Sequence, residues 1–199
     1  MKDGLVLIAS VSVLGVLVNA QPGRAQRDSQ FPEPSGQPGN YAPIGKTGSK
    51  GDAQAWFARY DQIRRAAQMS PKQRQEADYL LAKPIGMFMP GPDKIATKQL
   101  LSMLVEKYRA ATMAMKGLEL IPETEKLHKA YYQYFFSAGK LFNDYLKVQD
   151  NLLCPDPETG KPMAGQLLAR KQQLEEYNQE IQALDRQARA RLGIALYKY

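Results

Sequence analysis

Glu125 and His128 stand three residues apart in the pattern Glu-x-x-His, a spacing that puts a carboxylate and an imidazole on one helix face. A carboxylate-bridged di-iron site needs two such pairs and two further inward glutamates. This chain has one histidine in all, so the pattern stays unfulfilled and no metal is expected. Glu125 falls in a first helical turn, where its charge complements the helix dipole. His128 then reads as a partly buried structural histidine, with a role as a single axial ligand as the weaker alternative. Cys154 is the only cysteine, which excludes an intramolecular disulfide. Followed by proline, it reads as a small packed side chain, or as the site of a bridge between two copies. As a nucleophile it would need a base, and the only histidine lies about one helix length earlier. Gly39 and Gly45-Lys46-Thr47 come near a phosphate-binding loop, but five residues separate the glycines where the motif requires four, and no strand precedes them. Glu175 and Glu176 face solvent by their period. With neither a nucleophile-base pair nor an acid-base carboxylate pair, the expectation is a chain that is not an enzyme, with no catalytic residue and no cofactor.

Contact chemistry is better represented. Tyr131, Tyr132, Tyr134, Phe135 and Phe136 crowd one helix, and five adjacent aromatics exceed one buried face. Tyr132 and Phe136, four apart, either point away from Tyr131 and Phe135 or widen the buried arc, and they become the first candidates for a partner-binding patch. Met87, Phe88 and Met89 sit in a Gly/Pro-framed loop that either plugs an end of the domain or makes contacts. Arg64 and Arg65, with Lys72 and Arg74, cluster early in the domain, and Arg186, Arg189 and Arg191 cluster late. The net charge is +7. Such a chain is drawn to anionic lipid headgroups, polyanionic envelope polymers or an acidic protein surface. Nucleic acid is not expected, because no recognition motif accompanies the charge.

Helices must position these residues. Ala53, Trp56, Tyr60, Ile63 and Ala67 recur at three- and four-residue steps and define a first helix. Ser70-Pro71-Lys72-Gln73 restarts the chain with a serine cap, proline at the first helical position and a glutamine that closes a capping box. This short second helix, carrying Ala77, Leu80 and Leu81, ends near Lys83 because Pro84, Gly86, Pro90 and Gly91 break it. Pro92 opens a third helix along Thr97, Leu101, Leu104, Tyr108, Ala111, Met115 and Leu118, with Gly117 as a left-handed stop and Leu118 as the contact of a Schellman end. Pro122 starts the fourth, along Leu127, Tyr131, Tyr134, Ala138, Leu141, Tyr145 and Val148, widened by Phe135 and Phe142. After the turn-rich stretch 154–162, a last helix runs from about Met163 to the chain end through Leu167, Leu174, Tyr177, Ile181, Leu184, Ala188 and Leu192. The fold class is all-α: an elongated four-helix bundle of up-down type with one extra short helix.

Two segments precede that domain. Residues 1–20 hold an apolar run, Gly4 to Val18, whose roughly 22 Å as a helix falls short of the roughly 30 Å of a bilayer core. Val18 and Ala20 fit the small-x-small rule, so the segment reads as a signal peptide cut after Ala20, or as a short membrane anchor over residues 4–20. Arg24 and Arg27 on the translocated side oppose the positive-inside trend and keep the anchor open. Residues 21–50, rich in Pro, Gly, Gln and Ser, form a disordered linker. Residues 51–199 form the helical domain. The expected location is the periplasm, a lumen or the extracellular side. The expected function is a non-catalytic interaction module that docks on a membrane or cell-envelope complex. The alternative is a bundle that encloses an apolar ligand beside the aromatic helix 122–150. A homodimer through Cys154 or the C-terminal helix is compatible with either. In order of segments alone, the chain is similar to extrinsic lumenal subunits that dock on photosynthetic membrane complexes; no motif carries that likeness and no site follows from it.

Overall fold

The computed structural model describes residues 50–81 and 88–198, so the leader, most of the linker and Met87 lie outside the described residues. Among the described residues the α-helices are α1 Lys50–Ala67, α2 Pro71–Leu81, α3 Pro92–Gly117, α4 Glu125–Asp150 and α5 Leu167–Leu192. Short 3-10 turns at Pro122–Thr124 and Met163–Gln166 lead into α4 and α5. No strand occurs among the described residues, and an isolated antiparallel bridge joins Pro155 to Pro162. The domain is all-α, as its hydrophobic period predicts. No described helix is long and apolar enough to cross a membrane.

The capping box forms as the sequence predicts. The Gln73 amide N–H donates to Ser70 Oγ at 3.2 Å and the Ser70 N–H to Gln73 Oε1 at 3.0 Å, which starts α2. The short link from α3 to α4 makes them antiparallel neighbours with the most extensive packing in the molecule. Gly139 marks their closest approach: a Cβ there would stand 3.6 Å from that of Tyr108. α5 runs antiparallel along the other flank of α4, where the Tyr177 hydroxyl donates to the Ala130 carbonyl at 3.3 Å. α1 crosses the far half of α3, its Trp56 Nε1 donating to the Glu119 carbonyl at 3.0 Å and the Lys107 ammonium reaching the Gln68 carbonyl at 2.8 Å. α2 continues beside α3 with a smaller core of Ala77, Leu80, Leu100 and Leu104. The main core joins α1, α3, α4 and α5, and its fully buried Phe57, Met115, Leu127 and Ile181 each contribute roughly 1.5–3 kcal/mol.

Two helix ends differ from expectation. Gly117 is an ordinary helical residue, and α3 stops because Leu118 turns extended (φ −77°, ψ 124°), its N–H bonding the Met115 carbonyl. Leu118, Leu120 and Ile121 are all buried, so the link is pulled inward and no left-handed turn is needed. The Schellman end belongs to α5. That helix stops at Leu192, short of the chain end, where Gly193 is left-handed (φ 65°, ψ 34°). The Gly193 and Ile194 amides bond the carbonyls of Ala190 and Arg189, and Ile194 packs on the core.

Candidate functional site

Glu125 and His128 do not converge. The Glu125 carboxylate pairs with Lys129, one turn on, at 2.7 Å on the surface, which lowers its pKa. His128 is fully buried, deeper than its flanking position implied, and its Nε2 lies 2.6 Å from the Met115 carbonyl and so donates to it. Burial lowers the imidazole pKa, outweighing the carbonyl bonds that favour the charged form. Among the described residues no group of three or more His, Cys, Asp or Glu side chains is placed to hold a metal ion. The geometry makes His128 a neutral clamp between α4 and the end of α3.

The basic clusters divide. Arg65, Arg186 and Arg191 are exposed, the last donating to the Glu123 carbonyl at 2.8 Å. Arg64 and Arg189, expected at a partner-facing surface, are corrected to the interior at 5% and 1% exposure. They meet at the seam of α1 and α5. Arg64 pairs with Asp185 at 2.8 Å, Arg189 Nε with the same carboxylate at 2.9 Å, and the Arg189 fork closes on Asp61. Two carboxylates neutralise two guanidinium groups, which is what allows the charges inside. Aromatic faces complete the enclosure, with Arg64 4.9 Å from the Tyr131 centroid and Arg189 4.5 Å from that of Phe57. The available sequence signal is that Asp185 and Arg189, four apart, each follow a stripe residue by one position and so widen the buried arc of α5.

A second polar centre organises the loop after α4. Asp156, 1% exposed, accepts the N–H groups of Glu158 and Thr159, the Thr159 hydroxyl and the Arg170 guanidinium, while Arg170 also pairs with Asp144 at 2.6 Å. Burial would raise the Asp156 pKa, but the Thr159 amide, Arg170 and the remaining donors together lower it. Gly160, left-handed at φ 67°, lets the chain reverse. Cys154 is half-buried against the core beside this turn. Glu175, expected in solvent, is partly buried on α5, where it pairs with Lys171 at 3.4 Å; burial, and after it the Glu175 charge, raises the Tyr145 pKa.

The aromatic helix spends its inward rings on packing. Tyr131 meets Tyr60 edge-on at 5.0 Å and Phe135 at 5.6 Å, and Tyr134 meets Tyr108 at 6.3 Å. Tyr132 and Phe136 part company: Tyr132 packs half-buried against the main core, whereas Phe136 is 41% exposed. On α3, the helix packed most extensively against α4, Arg109, Met113 and Lys116 are exposed, Met113 at 63%. Sequence reasoning missed Met113 because it lies opposite the core stripe of its own helix, where a single apolar residue gives no signal. Phe88 packs into both cores, so this part of its loop plugs the domain, while Met89 stays 60% exposed.

The architecture therefore offers a surface of mixed apolar and basic side chains on the outer face of α3 and α4. Comparison of the chain with protein-family models, with curated proteins and with solved structures finds no match.

Proposed function

We propose that this chain is an exported, non-catalytic interaction module, a four-helix bundle of up-down type that docks on a membrane or cell-envelope complex through the outer face of α3 and α4. In this reading residues 1–20 are the signal or anchor and residues 21–50 the tether. The observation that carries it is the exposure of Phe136 on α4 and Met113 on the adjacent α3, with Arg109 and Lys116 exposed on the same helix as Met113. Exposed large apolar side chains on neighbouring helices, accompanied by charge, have the composition of an interface core with a polar rim. Arg65, Arg186 and Arg191, exposed on α1 and α5, extend the basic surface beyond it. The engagement of Tyr131 and Tyr134 by neighbouring rings supports this reading over an enclosed ligand, because the residues that would line a pocket already contact one another.

Site-specific photocrosslinking of the full chain in its native membranes tests the reading. Photoreactive residues at positions 136 and 113 should join the same envelope or membrane protein, and Arg109→Glu or raised salt should weaken the product about tenfold. Crosslinks confined to the chain itself at both positions would overturn it. Sequencing of the mature N-terminus tests export separately, with Gln21 the expected first residue.

A further inference from the structure

The last residues of the chain do more than end it. After the left-handed turn at Gly193 the segment folds back over the seam of α1 and α5. The Ala195 carbonyl accepts a hydrogen bond from Arg189 Nη1 at 2.8 Å. The Tyr197 ring lies 4.1 Å from the Arg64 guanidinium carbon, closer than either other ring on that side chain, and its hydroxyl donates to Gln68 Oε1 at 3.3 Å. Residues 193–198 therefore roof the four-charge cluster of Asp61, Arg64, Asp185 and Arg189. Their outer side is open to solvent at Ala195, Leu196 and Lys198, while Ile194, the Ala195 carbonyl and the Tyr197 ring and hydroxyl engage the domain.

We propose that residues 193–198 are a latch whose release loosens the second half of α1 without unfolding the rest of the domain. The physical basis is a mismatch of scale. A short segment at the edge of the domain, with most of its residues exposed, opens more often than the core does. What it uncovers includes Arg189, only 1% exposed while the latch is shut. Water entering there weakens the charge pairs that join α1 to α5, because their attraction depends on the low local dielectric. The trailing half of α1 carries Asp61 and Arg64, whose pairs tie it to α5 in addition to the packing of Tyr60 and Ala67 in the core. Its leading half places Ala53, Trp56 and Phe57 in the core and carries no member of the charge cluster. The consequence is a local opening confined to the last turns of α1 and the tail.

Hydrogen exchange of the full chain, followed by mass spectrometry, reads this directly. Deleting residues 194–199 should speed exchange of amides 61–68 at least tenfold while the amides of α3 and α4 keep their rates. Tyr197→Ala, which leaves the backbone of the tail in place, should move the same amides in the same direction, and Tyr197→Phe, which keeps the ring over Arg64, should restore most of the protection. If the truncated chain fails to fold, the two Tyr197 variants carry the test alone. Uniform acceleration in every helix would overturn the latch in favour of a general loss of stability. Unchanged amides 61–68 in Tyr197→Ala, or equal effects of the Ala and Phe variants, would also overturn it.

Discussion

At His128 two effects pull in opposite directions on one proton. Burial disfavours the charged ring and the Met115 carbonyl favours it, and burial prevails, so the folded pKa lies below the ordinary value. In the unfolded chain the imidazole protonates near pH 6.5, and between that value and the lower folded pKa the unfolded state binds more protons. Stability therefore falls as pH drops through this window and is insensitive to His128 above it. The urea midpoint of the protein should decrease from pH 7.5 to pH 5.5, and His128→Gln should flatten that decrease, since no second histidine titrates there. A wild-type midpoint that stays level would contradict the buried neutral ring. Glu125 and Asp156, with lowered pKa, act in the other range: their contributions are present above the unfolded carboxylate value and are lost as pH falls through the folded one. The Glu-x-x-His spacing was legible in the sequence, but its meaning depended on where each side chain turned. Glu125 found Lys129 on the surface, whereas His128 was drawn under Trp56, with ring centroids 6.4 Å apart.

Helix ends show how far local signals reach. Lys116-Gly117-Leu118 and Leu192-Gly193-Ile194 carry the same signature, a glycine followed by an apolar residue, yet only the second becomes left-handed. Leu118 is the first of the buried residues in the link to α4, so its backbone goes extended; Ile194 has to double back to reach the core. The pair yields opposite predictions. Gly117→Ala, with open space at the added methyl, should raise stability by up to about 1 kcal/mol through helix propensity. Gly193→Ala should lower it by about 1–2 kcal/mol because the added Cβ opposes the left-handed backbone. Equilibrium urea unfolding distinguishes these signs, and a destabilised Gly117→Ala would restore the left-handed reading. The capping box at Ser70 was readable because all its partners lie within four residues. The stripes of α3 and α4 were readable because their period runs unbroken for seven turns.

At the scale of the molecule, the decisive contacts join residues over a hundred positions apart, and these no window of sequence can display. Arg64 reaches Asp185 and Arg189 reaches Asp61, so a surface reading of Arg64 and Arg189 was natural when each was judged beside its neighbours alone. Arg65 and Arg186, next in line, do stay outside. Asp185→Asn keeps the shape of the side chain but leaves two buried guanidinium groups short of one negative charge, and it should cost roughly 3–5 kcal/mol in urea unfolding. Arg65→Ala should change stability by no more than about 0.5 kcal/mol. Comparable effects of the two would mean that the seam between α1 and α5 carries little weight. The exposure of Phe136 was legible because too many aromatics competed for one stripe, whereas Tyr132 packs half-buried against the core and Met113 gave no signal at all. The roof of Ala195 and Tyr197 over the first helix also orders events in time. Among the described helices α1 comes first along the chain, yet Tyr197, which seats its second half, lies 129 positions after Gln68. For a chain produced from its N-terminus, locking of α1 waits for these distant residues, and until they emerge the domain exists in an unlocked, more readily extended form.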